Sequence, residues 1–151
     1  MEPIDKRSDS RSLLVAATPA QVFAAMSDPV RIARWWGPDG FTNTVHQFDF
    51  QPGGTWLLTM HGPDGKDYPN ESRFTRIVPG ERFEIEHLSG HHFILTIDLK
   101  PSERGTLLQW RQTFDTAAHY ESLASFVATA NEQNLQRLAA EVLSASPAVQ
   151  A

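Results

Sequence analysis

Side chains able to do chemistry gather in the run "EHLSGHHF", residues 86 to 93, where His87, His91 and His92 supply half of the six histidines. Imidazoles this close together raise the possibility of a zinc-type metal site. A hairpin turning at "SG" makes His91 and His92 neighbours on one strand, so they point to opposite faces and at most one of them joins His87. The expectation is therefore a hairpin of surface histidines, with no metal and no cofactor. Glu84 and Glu86 also share one strand face, the outer one, and read as a solvated edge or as partners for arginines.

Other catalytic patterns are missing. No G-x-S-x-G nucleophile elbow occurs, and neither a P-loop nor a dinucleotide fingerprint is present. The chain has no cysteine, which removes thiolate metal sites, disulfides and a cysteine nucleophile together. What remains are four polar residues that interrupt apolar patterns: Tyr68, His87, Gln112 between Trp110 and Phe114, and Asn131. Each can orient a ligand, and each can equally be satisfied by backbone or buried water. Acid-base work by His87 or Tyr68 on a bound molecule stays open as an alternative.

The elements that position these residues follow from periodicity. "RSLLVAA" (11 to 17) reads as a first strand. It runs into "TPAQVFAAM", where Thr18 caps, Pro19 suits the first helical position and Gln21 completes a capping box. Asp28-Pro29 repeats the device for a second short helix from about Pro29 to Trp36, ended by Gly37. The period then changes to two. "TNTVHQFDF", "GTWLLTMH", "NESRFTRIV", "RFEIEHL", "HHFILTIDL" and "TLLQWRQTF" are six strand-like runs with short turn-forming separators, which predicts an antiparallel meander. "HYESLASFVATANEQNLQRLAAEVLSA" returns to helical spacing, with one apolar stripe through Ala124, Val127, Leu135, Leu138 and Val142 that Asn131 interrupts.

A seven-stranded antiparallel sheet must cover one face, and only the C-terminal helix is long enough to do so. Because sheets twist, wrapping one around a helix leaves space between them. Alternation turns Trp56, Leu58 and Met60 inward, with Phe74, Phe83, Ile85, His87, Trp110, Gln112 and Phe114 on the same face. Phe48, Phe50 and Phe93 are candidate additions, and Val127, Asn131 and Leu135 face them from the helix. Rigid aromatic rings opposite a helix that carries small residues predict either a filled core or an apolar pocket, the ordinary form of a small-molecule site. Trp35 and Trp36 lie about 100° apart around the second helix, so one is expected to plug the end of the space and the other to pack against the first helix or partly meet solvent.

The 151 residues suit one domain, here 8 to 145 with flexible termini at 1 to 7 and 146 to 151. Eighteen acidic against 13 basic residues give a net charge of -5, which speaks against nucleic acid and against anionic membrane as partners. The polar start "MEPIDKRSDSRS" does not read as a signal peptide, and no run approaches the roughly 20 apolar residues of a bilayer span, so a cytoplasmic protein is expected.

"DPVRIARWWGPDGFT", "FDFQPGGTWLLTMHGPDGKDYPN", "RIVPGERFEI" and "LQRLAAEVL" together resemble bacterial homologues of the heat-shock protein 90 ATPase activator, of the START-like or SRPBCC superfamily. The likeness runs from about residue 12 to 143. It implies an α+β helix-grip fold: seven antiparallel strands curled around the C-terminal helix, two short helices after the first strand, and often a cavity for an apolar ligand. Since that fold hosts binders, cyclases and a co-chaperone domain, it does not select among them. Binding of a small hydrophobic or aromatic molecule between sheet and helix is the leading expectation. A cyclase- or hydrolase-type enzyme in the same cavity and a chaperone-interacting stress module are the rivals, and a homodimer is compatible with the sequence without being specified by it.

Overall fold

A computed structural model describes residues 2 to 144. Strand β1 (Ser8–Val15) is followed by helices α1 (Pro19–Ser27) and α2 (Pro29–Trp35). Six strands come next: β2 (Thr42–Phe48), β3 (Thr55–His61), β4 (Asp67–Val78), β5 (Arg82–His87), β6 (Phe93–Ser102) and β7 (Gly105–Phe114). Helix α3 (Ala117–Ser144) closes the chain. The strands form one antiparallel sheet in the order β1-β7-β6-β5-β4-β3-β2, so the meander is intact and the first strand returns beside the last. The expected α+β helix-grip architecture is present.

Local chemistry sets the helix boundaries. Thr18 Oγ1 accepts from Gln21 N while Gln21 Oε1 accepts from Thr18 N, which satisfies two otherwise orphan donors at the start of α1. Asp28 Oδ1 accepts from Val30 N at the start of α2, and Pro29 needs no donor there. Gly37 then takes φ 95°, which ends the helix. A Cβ at Gly37 would lie 2.8 Å from Met60 Cε, the movable end of a flexible side chain, so it is the backbone conformation that requires glycine. In the "QPGG" turn a Cβ on Gly54 would lie 1.9 Å from the Asp49 carbonyl oxygen. That turn docks on β4 through Gly53 N to Phe74 O and Phe74 N to Gly54 O, 2.7 and 2.9 Å.

Several boundaries differ from the sequence expectation. Strand β1 starts at Ser8, three residues before the predicted start at Arg11, because its polar residues find partners: Ser8 Oγ donates within hydrogen-bond distance of Ile4 O and Thr113 Oγ1, and Asp9 holds Arg11. The N-terminal lead, expected to be loose through residue 7, contains a 3-10 turn at Ile4–Arg7. Arg7 ties it down by donating to Phe114 O at 2.8 Å. The expected tail, 146 to 151, lies outside the described residues. Strand β4 starts at Asp67 rather than Asn70 and includes Pro69. Proline is tolerated there because β5 pairs with β4 only from Ser72 onward, which leaves one side of 67–71 without a strand neighbour. In β2 a bulge between Val45 and Gln47 shifts the parity, so Val45 and Phe48 both pack on the core while His46 is exposed and meets Thr59 Oγ1.

The inner face divides into two zones. At one end Trp56, Phe74 and Phe83 are fully buried, and Phe48 and Phe50 pack against them, mostly edge-on, with ring centroids 5.1 to 6.2 Å apart. Phe23 of α1 joins this group edge-on to Phe50 at 5.8 Å. The other end, toward the β5–β6 hairpin, is not filled.

Candidate functional site

Between the unfilled part of the sheet and the middle of α3 lies a cavity of about 520 Å³. Four segments wall it. The loop after α2 contributes Trp36, Gly37, Pro38 and Phe41; β3 and the start of β4, before its pairing with β5, contribute Met60, Tyr68, Pro69 and Asn70. The hairpin side gives His87, Ser89, Gly90, His91, Phe93 and Leu95, with Trp110 and Gln112 from β7. Helix α3 supplies Phe126, Val127, Ala130, Asn131 and Asn134. Phe126 is 68% exposed although it borders the cavity, which places it at the opening. The walls carry no lysine or arginine.

Nine of the residues expected to line a pocket do so: Trp36, Met60, Tyr68, His87, Phe93, Trp110, Gln112, Val127 and Asn131. The other ten sit in packed structure instead. Trp56, Leu58, Phe74, Phe83, Ile85 and Leu135 are core, with Phe48 and Phe50 against it. Phe114 packs on Phe93, His119 and Tyr120. Trp35 is fully buried and donates from Nε1 to Ala25 O of α1 at 2.9 Å. The reason for the split is coverage: α1, α2 and the turn at 49–54 fill their end of the inner face, which strand parity alone does not report. The two adjacent tryptophans divide as their helical angle requires, Trp35 toward α1 and Trp36 to the cavity wall, edge-on to Trp56 at 4.7 Å.

Two wall-building residues escaped the sequence reading. Arg137 of α3 donates to five backbone carbonyls, those of Arg34, Trp36, Gly37, Pro38 and Phe41, at 2.8 to 3.3 Å. One turn earlier, Asn134 donates to Trp35 O at 2.7 Å and accepts from Gly37 N at 3.2 Å. Together they hold the "WWGPDGF" loop as a wall. The available signal is Asn134 three residues after Asn131 on the same helical stripe; nothing in the sequence sets Arg137 apart from other helix cations.

Hairpin histidines are bound into hydrogen bonds. Among the described residues no group of three or more histidine and acidic side chains is arranged to hold a metal. His92 bridges Glu86 Oε2 and Asp115 Oδ1 at 2.8 and 2.7 Å, and Glu86 also pairs with Arg73. His91 Nδ1 lies 2.9 Å from His119 Nε2. His87 stacks on Phe93 at 4.5 Å and sits between His91 O at 2.7 Å and Asn70 Oδ1 at 2.6 Å. Two acceptors around one ring favour the imidazolium, whereas burial disfavours it. Burial is the larger effect and pushes His87 below its ordinary 6.5. His92 moves the other way, raised above 6.5 by Glu86 first and by Asp115, against some desolvation.

The signs have opposite consequences for folding. His92, with its folded value raised, contributes stability that is present below pH 6.5 and is lost as pH rises through that folded value. His87, with its folded value depressed, costs stability as pH falls below 6.5, because the unfolded chain takes the proton first. A side-chain NMR titration is expected to show His92 titrating above 6.5 and His87 below it. The reverse order would contradict the hydrogen-bond assignment.

The profile of the family described as "Activator of Hsp90 ATPase homolog 1-like protein" matches residues 16–142. The chain belongs to this family. Among solved structures, this AHSA1-like chain is similar to a protein from Nitrosomonas europaea with a TM-score of 0.86 at 15% identity, over 97% of this chain and 100% of that one. A Chromobacterium violaceum protein is 27% identical with a TM-score of 0.76, over 88% and 95%. The AHSA1-like protein from Aeromonas hydrophila is 20% identical with a TM-score of 0.74, over 91% and 93%. No curated protein matches the chain. These likenesses fix family and fold, consistent with the START-like superfamily. Among the described residues no helix is long and apolar enough to cross a membrane.

Proposed function

We propose that this AHSA1-like chain binds a small hydrophobic or aromatic molecule in the space between the sheet and α3. The observation that carries the reading is the cavity itself. Its volume, about 520 Å³, falls within the roughly 300 to 1,000 Å³ usual for small-molecule sites. Aromatic and aliphatic side chains make most of its wall, with a few amides among them, which is the pattern that buries an apolar body and orients it by a small number of polar contacts. Such a void has a cost: side chains around it lack neighbours on one side, and a guest restores those contacts.

The test uses N-phenyl-1-naphthylamine, a neutral probe that fluoresces in apolar surroundings. Saturable binding of one probe per chain is expected, together with a higher Tm, since occupation at a hundred times Kd stabilises the folded state by about 2.7 kcal/mol. Absence of both saturation and stabilisation, across this probe and a panel of neutral aromatic compounds, would remove the reading.

A further inference from the structure

Most polar side chains of the cavity wall are already hydrogen-bonded; the exceptions include Trp110 Nε1, buried without a partner, and the amide pair where β7 meets α3. Asn134 uses both ends of its amide on the loop backbone. Asn70 is engaged by His87 and by Tyr68 O, and His87 has a partner at each ring nitrogen. Ser89 Oγ accepts from Glu71 N, and Tyr68 Oη donates to Asp64. Asn131 differs. Its Nδ2 donates to Asp9 Oδ2 at 3.0 Å and to Gln112 Oε1 at 2.9 Å, which uses both hydrogens, while its Oδ1 has no donor among the described residues. Gln112 is the mirror case: Oε1 is taken by Asn131, and Nε2 has no acceptor among the described residues. Asn131 as a residue is 7% exposed, yet its carbonyl is not one of the buried unpartnered side-chain atoms, so it stays accessible from the cavity and is free to accept from a ligand. Both side chains border the cavity.

Charge behind this pair selects the head group. Asp9 is 6% exposed and is held by both ends of the Arg11 guanidinium at 2.9 Å. Burial alone would push its carboxyl up, but the hydrogen bonds from Arg11 and Asn131 outweigh that and leave it below its ordinary 3.8, so it is an anion at neutral pH. Arg11 is shared with Glu132 at 3.0 Å, which leaves two carboxylates to one guanidinium. An amide that donates to an anion becomes a stronger acceptor at its oxygen. A ligand carboxylate would approach this negative cluster with no lysine or arginine in the wall to neutralise it.

We infer that the Asn131–Gln112 pair is a head-group site for a neutral hydrogen-bonding function, a hydroxyl or a secondary amide, carried on the apolar body that fills the cavity. Asn131 Oδ1 accepts the ligand's O–H or N–H, and Gln112 Nε2 donates to its oxygen. This rests on the ligand-binding reading and adds a charge rule: neutral heads are preferred over carboxylates, which meet the negative cluster, and over ammonium groups, whose three donors find a single free amide oxygen in exchange for their hydration.

Three probes with one ring system test the rule: 2-naphthol, 2-naphthoate and 2-naphthylmethylammonium, each titrated calorimetrically at neutral pH. Naphthol is expected to bind at least about tenfold more tightly than either ion, as an unpaired charge in a buried site costs more than one such factor. Gln112→Met keeps side-chain length and removes the Nε2 donor together with the Oε1 that holds Asn131, and it is expected to weaken naphthol binding several-fold. Asn131→Leu removes the acceptor too; because it also strips Asp9 of a partner, its folding is checked by circular dichroism, and Gln112→Met decides the matter if it fails to fold. Equal or tighter binding of naphthoate or of the ammonium overturns the charge rule and leaves the cavity reading intact. Unchanged naphthol affinity in Gln112→Met overturns the assignment to this pair. Failure of every probe, with N-phenyl-1-naphthylamine also failing, takes down the cavity reading with it.

Discussion

Replacing Arg137 with alanine is expected to lower stability by about 3 kcal/mol and to abolish ligand binding in the cavity. The guanidinium serves five carbonyls, from Arg34 near the end of α2 to Phe41 in the loop that follows, which no other side chain among the described residues does. Charge-assisted hydrogen bonds are worth about 1.5 to 3 kcal/mol each, but a loop freed at the surface recovers water for most of its carbonyls, so the net loss is well below the sum. The consequence for the site is larger than the consequence for the fold. Trp36, Gly37, Pro38 and Phe41 are all cavity wall, and all four present a carbonyl to Arg137. Arg137→Lys discriminates the mechanism. It keeps the charge but replaces a planar fork with a point donor, and it is expected to regain part of the stability while binding remains at least about tenfold weaker. Urea denaturation and probe titration of both variants supply the check; wild-type affinity in Arg137→Ala would show that the loop holds itself.

Phe74→Ala is expected to have the opposite profile. Phe74 is fully buried and contacts Phe48, Phe50, Trp56 and Phe83, with ring centroids 5.1 to 5.9 Å away. Deleting such a ring costs about 3 to 5 kcal/mol, because a rigid aromatic cluster collapses poorly into the gap. The residue is not part of the cavity wall, so probe affinity per folded molecule should change by less than about threefold, a difference under 1 kcal/mol. A melting curve and a probe titration separate the two quantities. A large affinity loss without a stability loss would place Phe74 in the site and contradict the division of the inner face into a packed and an open zone.

That division is what periodicity could not report. Alternation found the inner face, and the capping signals at Thr18 and Asp28 located both short helices, because these depend on local spacing and on backbone donors that every helix start must satisfy. How far along the face each covering element reaches is a tertiary matter. Trp56 and Trp110 have the same inward parity, yet one meets Trp36, Phe48 and Phe74 while the other borders open space beside Val127. The bulge near His46 was invisible for a similar reason: it is one extra residue, which a parity count takes as ordinary alternation. Polar residues were legible when they broke an apolar pattern, as Asn131 and Gln112 did. Arg137 broke none, since a long cation on the flank of a helix is ordinary, and only its five carbonyl partners distinguish it.

The central claim is that the space beside Asn131 is a binding site, and filling it is the most direct test. Ala130 borders the cavity from α3, on the turn between Val127 and Asn134. Ala130→Phe puts a ring into that space without deleting any hydrogen bond of the wall. The account predicts a Tm equal to or above that of the wild type, with N-phenyl-1-naphthylamine binding reduced by more than about a hundredfold, the equivalent of roughly 2.7 kcal/mol. Undiminished probe binding in a folded Ala130→Phe chain would contradict it.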